Sequence, residues 1–376
     1  MKRIGNLYEQ IASIDNLHLA DQKARKGKLR SYGVQKHDQR REQNIQELHH
    51  QLMDGTFRTS QYDIFKIYEP KEREIYRLPY YPDRIVHHAI MNILEPIWCS
   101  IFTADTYSCI KGRGIHAVAR KLKRYLQDDP AGTRYCLKID IRKYYPSIDH
   151  DILKQIVRRK IKDKRLLDLL DEIIDSADGV PIGNYLSQYS ANLYLAYFDH
   201  WIKEEKHARY YFRYADDIVV LSNSKQQLHG LLEDIRQYMS TLKLQVKDNY
   251  QIFPVAERGI DFVGYVFYHT HTLLRKSIKK QFCRKIASVR KRERTKEVTT
   301  DQFKQEICPW WGWAKYCDSR NLIKKLSKQT NHEIIFKQQT RHHPRNRRRE
   351  PLLQLRYHRA SSTRESGRRS TDAASF

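Results

Sequence analysis

The spacing of hydrophobic residues changes along the chain, and the change separates predicted helices from predicted strands. Residues 83–98, DRIVHHAIMNILEPIW, have apolar side chains at every third or fourth position, which predicts a largely buried helix. Residues 111–126 form a glycine turn that leads into a basic helix. Residues 134–141, RYCLKIDI, alternate with a period of two, which predicts a strand with Lys138 and Asp140 on its polar face.

Other segments carry clear signals of their own. Residues 1–55 are polar, basic and without proline, which predicts a helical segment that ends at Gly55. Residues 62–82 contain two β-rich runs joined by EPKER, which predicts a hairpin with charges at its tip. Residues 276–333 are basic and helical, and their WWGW cluster is expected to pack rather than to bind a ligand. Beyond about residue 340 the chain is rich in Arg and poor in apolar residues, which predicts a disordered tail that contacts nucleic acid.

Two adjacent acids are the most unusual feature of the pattern. Asp216 and Asp217 lie in YYFRYADDIVVLS, residues 210–222, where a tight turn joins two predicted strands, and Asp tolerates the left-handed backbone of such a turn. If the strand of Asp140 belongs to the same sheet, three carboxylates meet at one edge. Two Mg²⁺ ions about 4 Å apart, or Mn²⁺ as a substitute, would neutralise them and support phosphoryl transfer. A solvated surface turn is the alternative, although apolar and β-branched flanks are unusual for one.

Composition limits the class of partner. The chain has 376 residues, 40% of them hydrophobic, and a formal net charge of +26. Such an excess favours a polyanion, with nucleic acid ahead of an anionic membrane surface, since no apolar run approaches the ~18 residues of a spanning helix. The N-terminus lacks the apolar core of a signal peptide, so an intracellular protein is expected. The six cysteines never occur as CxxC, which predicts unpaired and mostly buried thiols.

Three sequence motifs together resemble those of reverse transcriptases. LKIDIRKYYPSID (137–149), GVPIGNYLSQ (179–188) and YADD (214–217) occur in the order of motifs A, B and C of that family, within a likeness that covers roughly residues 60–270. The resemblance implies an α+β right-hand polymerase whose palm has an antiparallel sheet that carries the YADD hairpin. The expected parts are an N-terminal helical extension (1–60), fingers (61–133 with part of 150–185), a palm (134–272), a helical thumb (273–335) and a basic tail (336–376).

Motif B indicates a subtype. Ile182 precedes Gly183 where the family usually has Gln, and Ser187-Gln188 follows, as in the reverse transcriptases of diversity-generating retroelements. Those enzymes copy a template-repeat RNA with frequent errors at adenines and pass the cDNA to a variable gene, a process called mutagenic retrohoming. Retron-type and defence-type bacterial reverse transcriptases are alternatives, although the retron signatures NAxxH and VTG do not occur here. Group II intron maturases would be expected to carry a longer maturase domain.

The resemblance implies roles for the acids and their neighbours. Asp140 and Asp216 would hold both metal ions. Asp217 would assist Asp140 and Asp216 in binding the ions, and the carbonyl of Ile141 would complete the coordination shell. Tyr145 falls where the family has its steric gate, an aromatic ring that excludes a ribose 2′-OH and so selects deoxynucleotides; core packing is the alternative for this ring.

Further roles follow from the same resemblance. Lys71 and Arg73, at the EPKER tip, would bind the triphosphate. Arg77 is the alternative residue for this role if the alignment of this region with the family is shifted. Lys247 would donate a proton to the leaving pyrophosphate, unless it is a solvated lysine at a strand end. The remaining expected contacts are Gly183 with the incoming base pair, Gln188 with the template nucleotide, Ile182 beside the nascent pair, and Phe262, Gly264 and Tyr265 as the primer grip.

The expected partners are template RNA, cDNA and deoxynucleoside triphosphates. The resemblance adds a small basic accessory protein that forms a pentamer, and a location in the bacterial cytoplasm, with the gene carried by a bacterium or a phage. No membrane association is expected. Two other functions remain open. An RNA-directed RNA polymerase shares the palm acids but would usually have a second Asp where this chain has Tyr145. A non-catalytic RNA-binding relative of polymerases would explain the charge equally well.

Overall fold

The chain divides into two compact units, each described here on its own. The first unit spans Met1–Thr272 and the second Leu273–Phe376. The division falls at the residue where the sequence predicts the palm to end, although the assignment of domains stays a prediction. The computed structural model describes residues 3–68, 72–295, 297–327, 332–334 and 355–357.

Mixed helices and strands build the first unit. Its helices are α1 (Tyr8–Ala12), α2 (Ile14–Ala24), α3 (Tyr32–Asp38), α4 (Arg41–Met53), α5 (Ile85–Cys99), α6 (Ile115–Asp128), α7 (His150–Arg158), α8 (Lys164–Asp175), α9 (Tyr185–Tyr194), α10 (Ala196–Glu204), α11 (Lys225–Thr241) and α12 (Val255–Arg258). Its strands are β1 (Asp63–Tyr68), β2 (Glu72–Arg77), β3 (Tyr135–Asp140), β4 (Tyr210–Tyr214), β5 (Asp217–Ser222), β6 (Gln251–Pro254), β7 (Ile260–Phe262) and β8 (Tyr265–Phe267).

A four-stranded antiparallel sheet organises the first unit. Its strand order is β4-β5-β3-β6, so β3 pairs with β5 on one side and with β6 on the other. Leu137 and Ile139 are buried, whereas Lys138 and Asp140 are partly exposed, as the alternation of RYCLKIDI predicts. The predicted pattern of one polar face is incomplete, because Cys136 is also fully buried. The sheet is therefore covered on both faces along β3, except towards the end that carries Asp140.

The N-terminal helices share the hydrophobic core with the rest of the first unit. Helix α5 is the predicted buried helix of residues 83–98, and it packs against α1, α2 and α9. Asp21, at 0% exposure, binds the guanidinium groups of Arg25 and Arg41 and accepts a hydrogen bond from the Tyr80 hydroxyl. Because a buried carboxylate is costly unless it is paired, this cluster fixes the N-terminal segment to the turn that precedes α5.

The predicted hairpin of residues 62–82 is present. Strands β1 and β2 pair antiparallel from Asp63 opposite Arg77 to Tyr68 opposite Glu72. The residues at its tip, 69–71, lie outside the described part of the chain. The hairpin is tied to motif B, because the backbone N–H of Tyr76 donates to the Ile182 carbonyl at 2.9 Å.

Three helices form most of what is described in the second unit. They are α13 (Lys276–Arg294), α14 (Thr300–Ala314) and α15 (Arg320–Ser327); the strand β9 (Thr272–Leu274) precedes them, and β10 (His332–Ile334) and β11 (Leu355–Tyr357) pair antiparallel. Trp310 stacks on Phe282 with 5.7 Å between ring centroids, and Trp311 is only 8% exposed. Trp310 and Trp311 of the WWGW cluster therefore pack within this unit. The predicted disordered tail, apart from residues 355–357, lies outside the described residues.

Two sequence predictions are wrong in detail. The alternation of residues 242–253, LKLQVKDNYQIF, predicts a strand, but only the end of this run belongs to β6, and Val246 makes an isolated bridge with Ile141. The run is broken because Lys243 has a φ of +53° and residues 248–249 form a turn. The sequence predicts mostly buried thiols, but among the six cysteines, all of which lie in the described part of the chain, Cys136 alone is buried. No helix in the described part of the chain is both long and apolar enough to cross a bilayer.

Candidate active site

The YADD turn is a two-residue loop. Tyr214 pairs with Asp217 at the last rung of the β4–β5 ladder, which leaves Ala215 and Asp216 as the loop residues. The left-handed backbone predicted for an aspartate lies at Ala215 instead, with a φ of +55°. Hairpin loops of two residues often require a positive φ at their first position, and an alanine there is strained. A side-chain donor, Nη1 of Arg213, binds the Ala215 carbonyl at 3.1 Å and helps to hold this conformation.

The three acids lie at one edge of the sheet. Asp140 is directly opposite Asp217 in the β3–β5 register, so their side chains share one face. Asp216 follows in the turn. Burial raises the pKa of Asp216 above its usual value, and the negative charge of Asp140 raises it further, whereas Lys247 and Arg73 act in the opposite direction. The acids are therefore close enough to interact electrostatically.

Lysines neutralise two of these acids. Lys247 donates from its ammonium to Oδ1 of Asp140, and its backbone N–H donates to the Asp140 carbonyl at 2.9 Å. The ammonium of Lys138 lies 3.6 Å from Oδ2 of Asp217. Among the described residues, no three His, Cys, Asp or Glu side chains are arranged to hold a metal ion. The three acids lie at one edge of the sheet, but lysines pair with two of them. Carboxylate oxygens nevertheless have the chemistry that Mg²⁺ prefers.

The backbone of Ile141 is directed towards the same edge. The Asp140 carbonyl accepts from Lys247, and the N–H of Arg142 donates to the Gln245 carbonyl at 2.8 Å. Successive residues of an extended strand direct their carbonyl groups to opposite sides. The Ile141 carbonyl therefore faces away from residues 245–247 and towards the side on which Asp216 lies. This direction is compatible with the predicted metal contact.

Tyr145 lies in a short 3₁₀ turn, Tyr145–Ser147, just after β3. Its ring is half-buried, and burial, together with the charges of Cys109 and Asp216, raises the pKa of its hydroxyl. Gly179 supports the turn from behind, since its φ is +60° and a Cβ there would approach the Tyr145 carbonyl to 2.6 Å. Val180 also donates to that carbonyl at 2.9 Å. The sequence analysis assigns no role to Gly179, although the GVP tripeptide at the start of motif B was the available signal.

Motif B follows as a loop that leads into α9. Gly183 has a φ of +125°, and a Cβ there would approach the Tyr76 carbonyl to 2.9 Å. The described structure therefore requires this glycine because β2 passes close to it, whereas the sequence analysis expected an approach to the incoming base pair. Ile182 is half-buried and joined to β2 through its carbonyl. Gln188, half-buried on α9, faces a cavity together with Gly183.

That cavity is basic, has a volume of about 290 Å³ and was not predicted. Lys23, Lys26, Lys28 and Arg84 line it, and no carboxylate does. In the described part of the chain none of these four cations forms an ion pair, although Lys23 donates to the Asn92 amide oxygen at 2.6 Å. Burial, and then the charge of Arg77, lowers the pKa of Arg84. Like charges gathered without acids are typical of a site for an anion.

The β1–β2 hairpin contributes one cation to the edge of the sheet that carries the three acids. Arg73 is part of β2, opposite Ile67, rather than part of the tip as predicted. Its charge nevertheless opposes the raised pKa of Asp216, so it lies on the side of the acids. The rival, Arg77, forms an ion pair with Asp63 at the other end of the hairpin. Lys71 lies outside the described residues.

The predicted primer grip differs from expectation. Phe262 and Tyr265 flank the turn between β7 and β8, in which Val263 and Gly264 have positive φ values. Both aromatic side chains are fully buried, and the Tyr265 hydroxyl lies 3.2 Å from Nδ1 of His116. These rings therefore pack in the core and do not face a primer. The backbone of the turn is the remaining group that could contact one.

Comparisons with known proteins agree with the motifs. The family model described as "Reverse transcriptase (RNA-dependent DNA polymerase)" matches residues 69–267. Protein YkfC of Escherichia coli (strain K12) is 27% identical over 259 residues, which cover 56% of this chain and 66% of that protein. The group II intron-encoded protein LtrA of Lactococcus lactis subsp. cremoris is 25% identical over 178 residues, covering 44% and 29%. The chain thus spans less than two thirds of the length of either relative.

A solved structure of apo telomerase from Candida Tropicalis aligns with a TM-score of 0.45 and 11% identity, covering 73% of this chain and 60% of that one. This likeness is too distant to add to the assignment. The mixed helices and strands, with an antiparallel sheet that carries the YADD hairpin, are consistent with the right-hand polymerase fold. Because the family match covers more than half of its residues, the chain belongs to the reverse transcriptase family.

Proposed function

We propose that the chain is an RNA-directed DNA polymerase that extends a primer along an RNA template. The observation that carries this proposal is the register of the central sheet, in which Asp140 lies opposite Asp217 with Asp216 in the adjoining turn. A binding protein has no need for three acids at one edge, and the repulsion among them costs stability. The family match across residues 69–267 supports the same function.

Reverse transcriptase domains generally use divalent metal ions, and Mg²⁺, with Mn²⁺ as a substitute, suits the oxygen donors of this edge. Asp140, Asp216, Asp217 and the Ile141 carbonyl would hold two such ions. When bound, the ions would supply Lewis-acid stabilisation of the phosphoryl group being transferred. Lys247 would give a proton to the leaving pyrophosphate, since its ammonium already lies at this edge.

The substrate contacts belong to the same proposal. Tyr145 would act as the steric gate beneath the sugar, because its half-buried ring lies near Asp216. Arg73, with Lys71 beside it in sequence, would bind the triphosphate. Residues 61–133 would form the fingers, 134–272 the palm and 273–335 the thumb.

The basic cavity would contact the RNA strand. Its four cations converge on a space that Gly183 and Gln188 also line, and cations without acid partners are suited to phosphate groups. Gln188 would then lie near the template nucleotide, as motif B suggests. The net charge of +26 favours the same class of partner.

Primer extension on an RNA template tests the proposal. Asp216→Asn and Asp140→Asn should each lower the rate about 10³-fold, as expected when several kcal/mol of metal-dependent stabilisation are lost. Asp248→Asn is a matched control, because Asp248 is an exposed acid next to Lys247 that lies outside the proposed site. Extension by Asp216→Asn at more than a tenth of the wild-type rate would show that these acids are not the catalytic centre.

At a finer level we propose a polymerase of a diversity-generating retroelement, on the strength of Ile182 in motif B. An aliphatic side chain cannot make the hydrogen bonds that Gln would make near the nascent pair, so discrimination there would rest on shape. The protein would then copy a template-repeat RNA with errors at adenines in a bacterial cytoplasm. A small basic pentameric accessory protein would assist it, and template-specific synthesis by the purified chain alone would argue against that partner.

An intron-type reverse transcriptase is the second candidate and fits equally well. The observation that favours it is the set of relatives, which includes LtrA and the nuclear intron maturase 1 of Arabidopsis thaliana. The error spectrum on a template with all four bases separates the candidates. Misincorporation concentrated at adenines, and reduced by Ile182→Gln, is expected for the retroelement enzyme. Uniformly accurate copying that Ile182→Gln leaves unchanged would favour the intron-type enzyme.

A further inference from the structure

A buried ion pair lies directly beneath the YADD turn. Arg213 on β4 and Asp199 on α10 are both at 0% exposure. Nε of Arg213 donates to Oδ1 of Asp199 at 2.7 Å, and Nη2 donates to Oδ2 at 2.6 Å. This is the bidentate arrangement in which a planar guanidinium and a carboxylate fix each other's orientation.

The rest of the guanidinium is directed at the turn and at α9. Nη1 donates to the Ala215 carbonyl at 3.1 Å and to Oδ1 of Asn192 at 3.2 Å. Nη2 also donates to the Asn192 carbonyl at 3.3 Å. Arg213 therefore connects the turn to two helices of the first unit. Of these bonds, the one to Ala215 acts on the peptide group that directly precedes Asp216.

The carboxylate of Asp199 is fixed from its other sides. Tyr211 donates its hydroxyl to Oδ1, and Thr106 donates its hydroxyl to Oδ2 at 2.6 Å. Burial by itself would lower the pKa of Arg213, but the charge of Asp199 and the hydrogen bonds to it, together with Tyr211 and Tyr144, raise that pKa overall, so the pair stays ionised. With each carboxylate oxygen held by two donors, Arg213 has little freedom to reorient.

Stability is a poor explanation for this pair. Replacing a buried ion pair by apolar residues of similar volume is often neutral or stabilising, so a fold alone does not require one. The strained backbone of Ala215 needs a donor beneath it, and an apolar side chain has none. The pair is better explained by the orientation of the turn.

We propose that Arg213 is a positioning residue that orients the Ala215–Asp216 peptide and thereby sets the affinity of the acidic edge for Mg²⁺. The proposal rests on the proposed polymerase function. Mg²⁺ tolerates little departure from ideal octahedral geometry, so a small rotation of this peptide weakens ion binding before it disturbs the fold. Arg213 itself contacts neither the ion nor the substrate, and it acts through the turn.

The test compares two variants of the same buried cluster. Arg213→Lys keeps a positive charge for Asp199, but a single ammonium cannot bind both carboxylate oxygens and also reach the Ala215 carbonyl. Tyr211→Phe removes a hydrogen bond to the same carboxylate and leaves the bond from Arg213 to Ala215 intact. For both full-length proteins the Mg²⁺ concentration for half-maximal primer extension and the melting temperature are measured.

We expect Arg213→Lys to raise the half-maximal Mg²⁺ concentration about tenfold and Tyr211→Phe to leave it within about twofold of wild type, even where their melting temperatures fall equally. If Arg213→Lys does not fold, Asn192→Ala takes its place, since it removes a single neutral partner of the guanidinium and should raise the Mg²⁺ requirement about threefold.

Two results overturn the inference. One is an unchanged Mg²⁺ requirement in Arg213→Lys, or in Asn192→Ala where that variant replaces it. The other is an equal rise in Tyr211→Phe, which would show that the cluster acts through general stability. Failure of the proposed function looks different, because the wild-type protein would then show no primer extension that depends on Asp216.

Discussion

His87 offers a test of burial that is independent of catalysis. It lies on α5 at 2% exposure, lines the basic cavity, and its Nε2 has no hydrogen-bond partner in the described part of the chain. Burial lowers its pKa from 6.5 to about 3, and the charges of His88 and Arg84 act in the same direction. Between about pH 3 and pH 6.5 His87 is therefore mostly neutral in the folded protein, whereas it is mostly protonated in the unfolded chain.

The magnitude follows from linkage. Because the folded pKa is depressed, the unfolded chain binds more protons between about pH 3 and 6.5, and folding is destabilised as the pH falls through that window. On acidification from pH 7.5 to pH 5.0, the pH falls about 1.5 units below the unfolded pKa of 6.5. Protonation of His87 then stabilises the unfolded state by about 1.36 kcal/mol per unit, or about 2 kcal/mol in total. The substitution His87→Leu should remove this part of the acid sensitivity.

The assay is chemical denaturation of wild type and His87→Leu at both pH values. Other titrating groups are common to the two proteins, so the difference between their pH responses isolates His87. The loss of unfolding free energy on acidification should be about 2 kcal/mol smaller in the variant. Ile90→Val, a buried substitution on the same helix without a titratable group, should cost about 1 kcal/mol at both pH values. An identical pH response in wild type and His87→Leu would refute the burial argument.

Three further predictions concern the proposed site. Tyr145→Ala should raise ribonucleotide incorporation relative to deoxynucleotide incorporation about 10–100-fold, measured as a ratio of kcat/KM values. An unchanged ratio would show that the Tyr145 ring only packs in the core and does not select the sugar. Arg73→Lys should raise the KM for deoxynucleoside triphosphates about tenfold, whereas Arg77→Lys, which alters the pair with Asp63, should not. The double substitution of Lys26 and Lys28 by Ala should lower the slope of log K for RNA binding against log salt concentration by the amount expected for about two lost phosphate contacts. An unchanged slope would show that these two lysines of the cavity do not bind RNA.

The acids could be found from the sequence because local rules identify them. The alternation of RYCLKIDI assigns Asp140 to a strand, and YADD between two β-branched runs assigns Asp216 and Asp217 to a hairpin turn. Asp140 lies beside the other two acids because β3 pairs with β5, which is distant along the chain. Only the order of the motifs in the sequence indicated this pairing. The pairing of Asp140 with Lys247 was not foreseen, because the segment around Lys247 was assigned to a strand that the turn at residues 248–249 interrupts.

The remaining features depend on contacts between distant segments. Arg213 would be taken for a surface cation of β4, and its burial follows from Asp199 on a helix that packs beneath it. The basic cavity combines the C-terminal end of α2 and the segment after it with Arg84 and motif B, so no single stretch of sequence contains its signal. The burial of Phe262 and Tyr265 could not be predicted, because periodicity over a strand of three residues cannot tell which of its faces is buried.

The central position of β3 has a consequence for protein synthesis. In the sheet, β3 lies between β5 and β6. In the sequence, four α-helices and β4 separate β3 from β5, and β6 comes after β5. A ribosome must therefore deliver Pro254 before both neighbours of β3 are available, and long-range strand pairing of this kind is slow. A nascent polypeptide, or one shortened by a premature stop codon before Gln251, would expose an unpaired edge of β3 and be liable to aggregate.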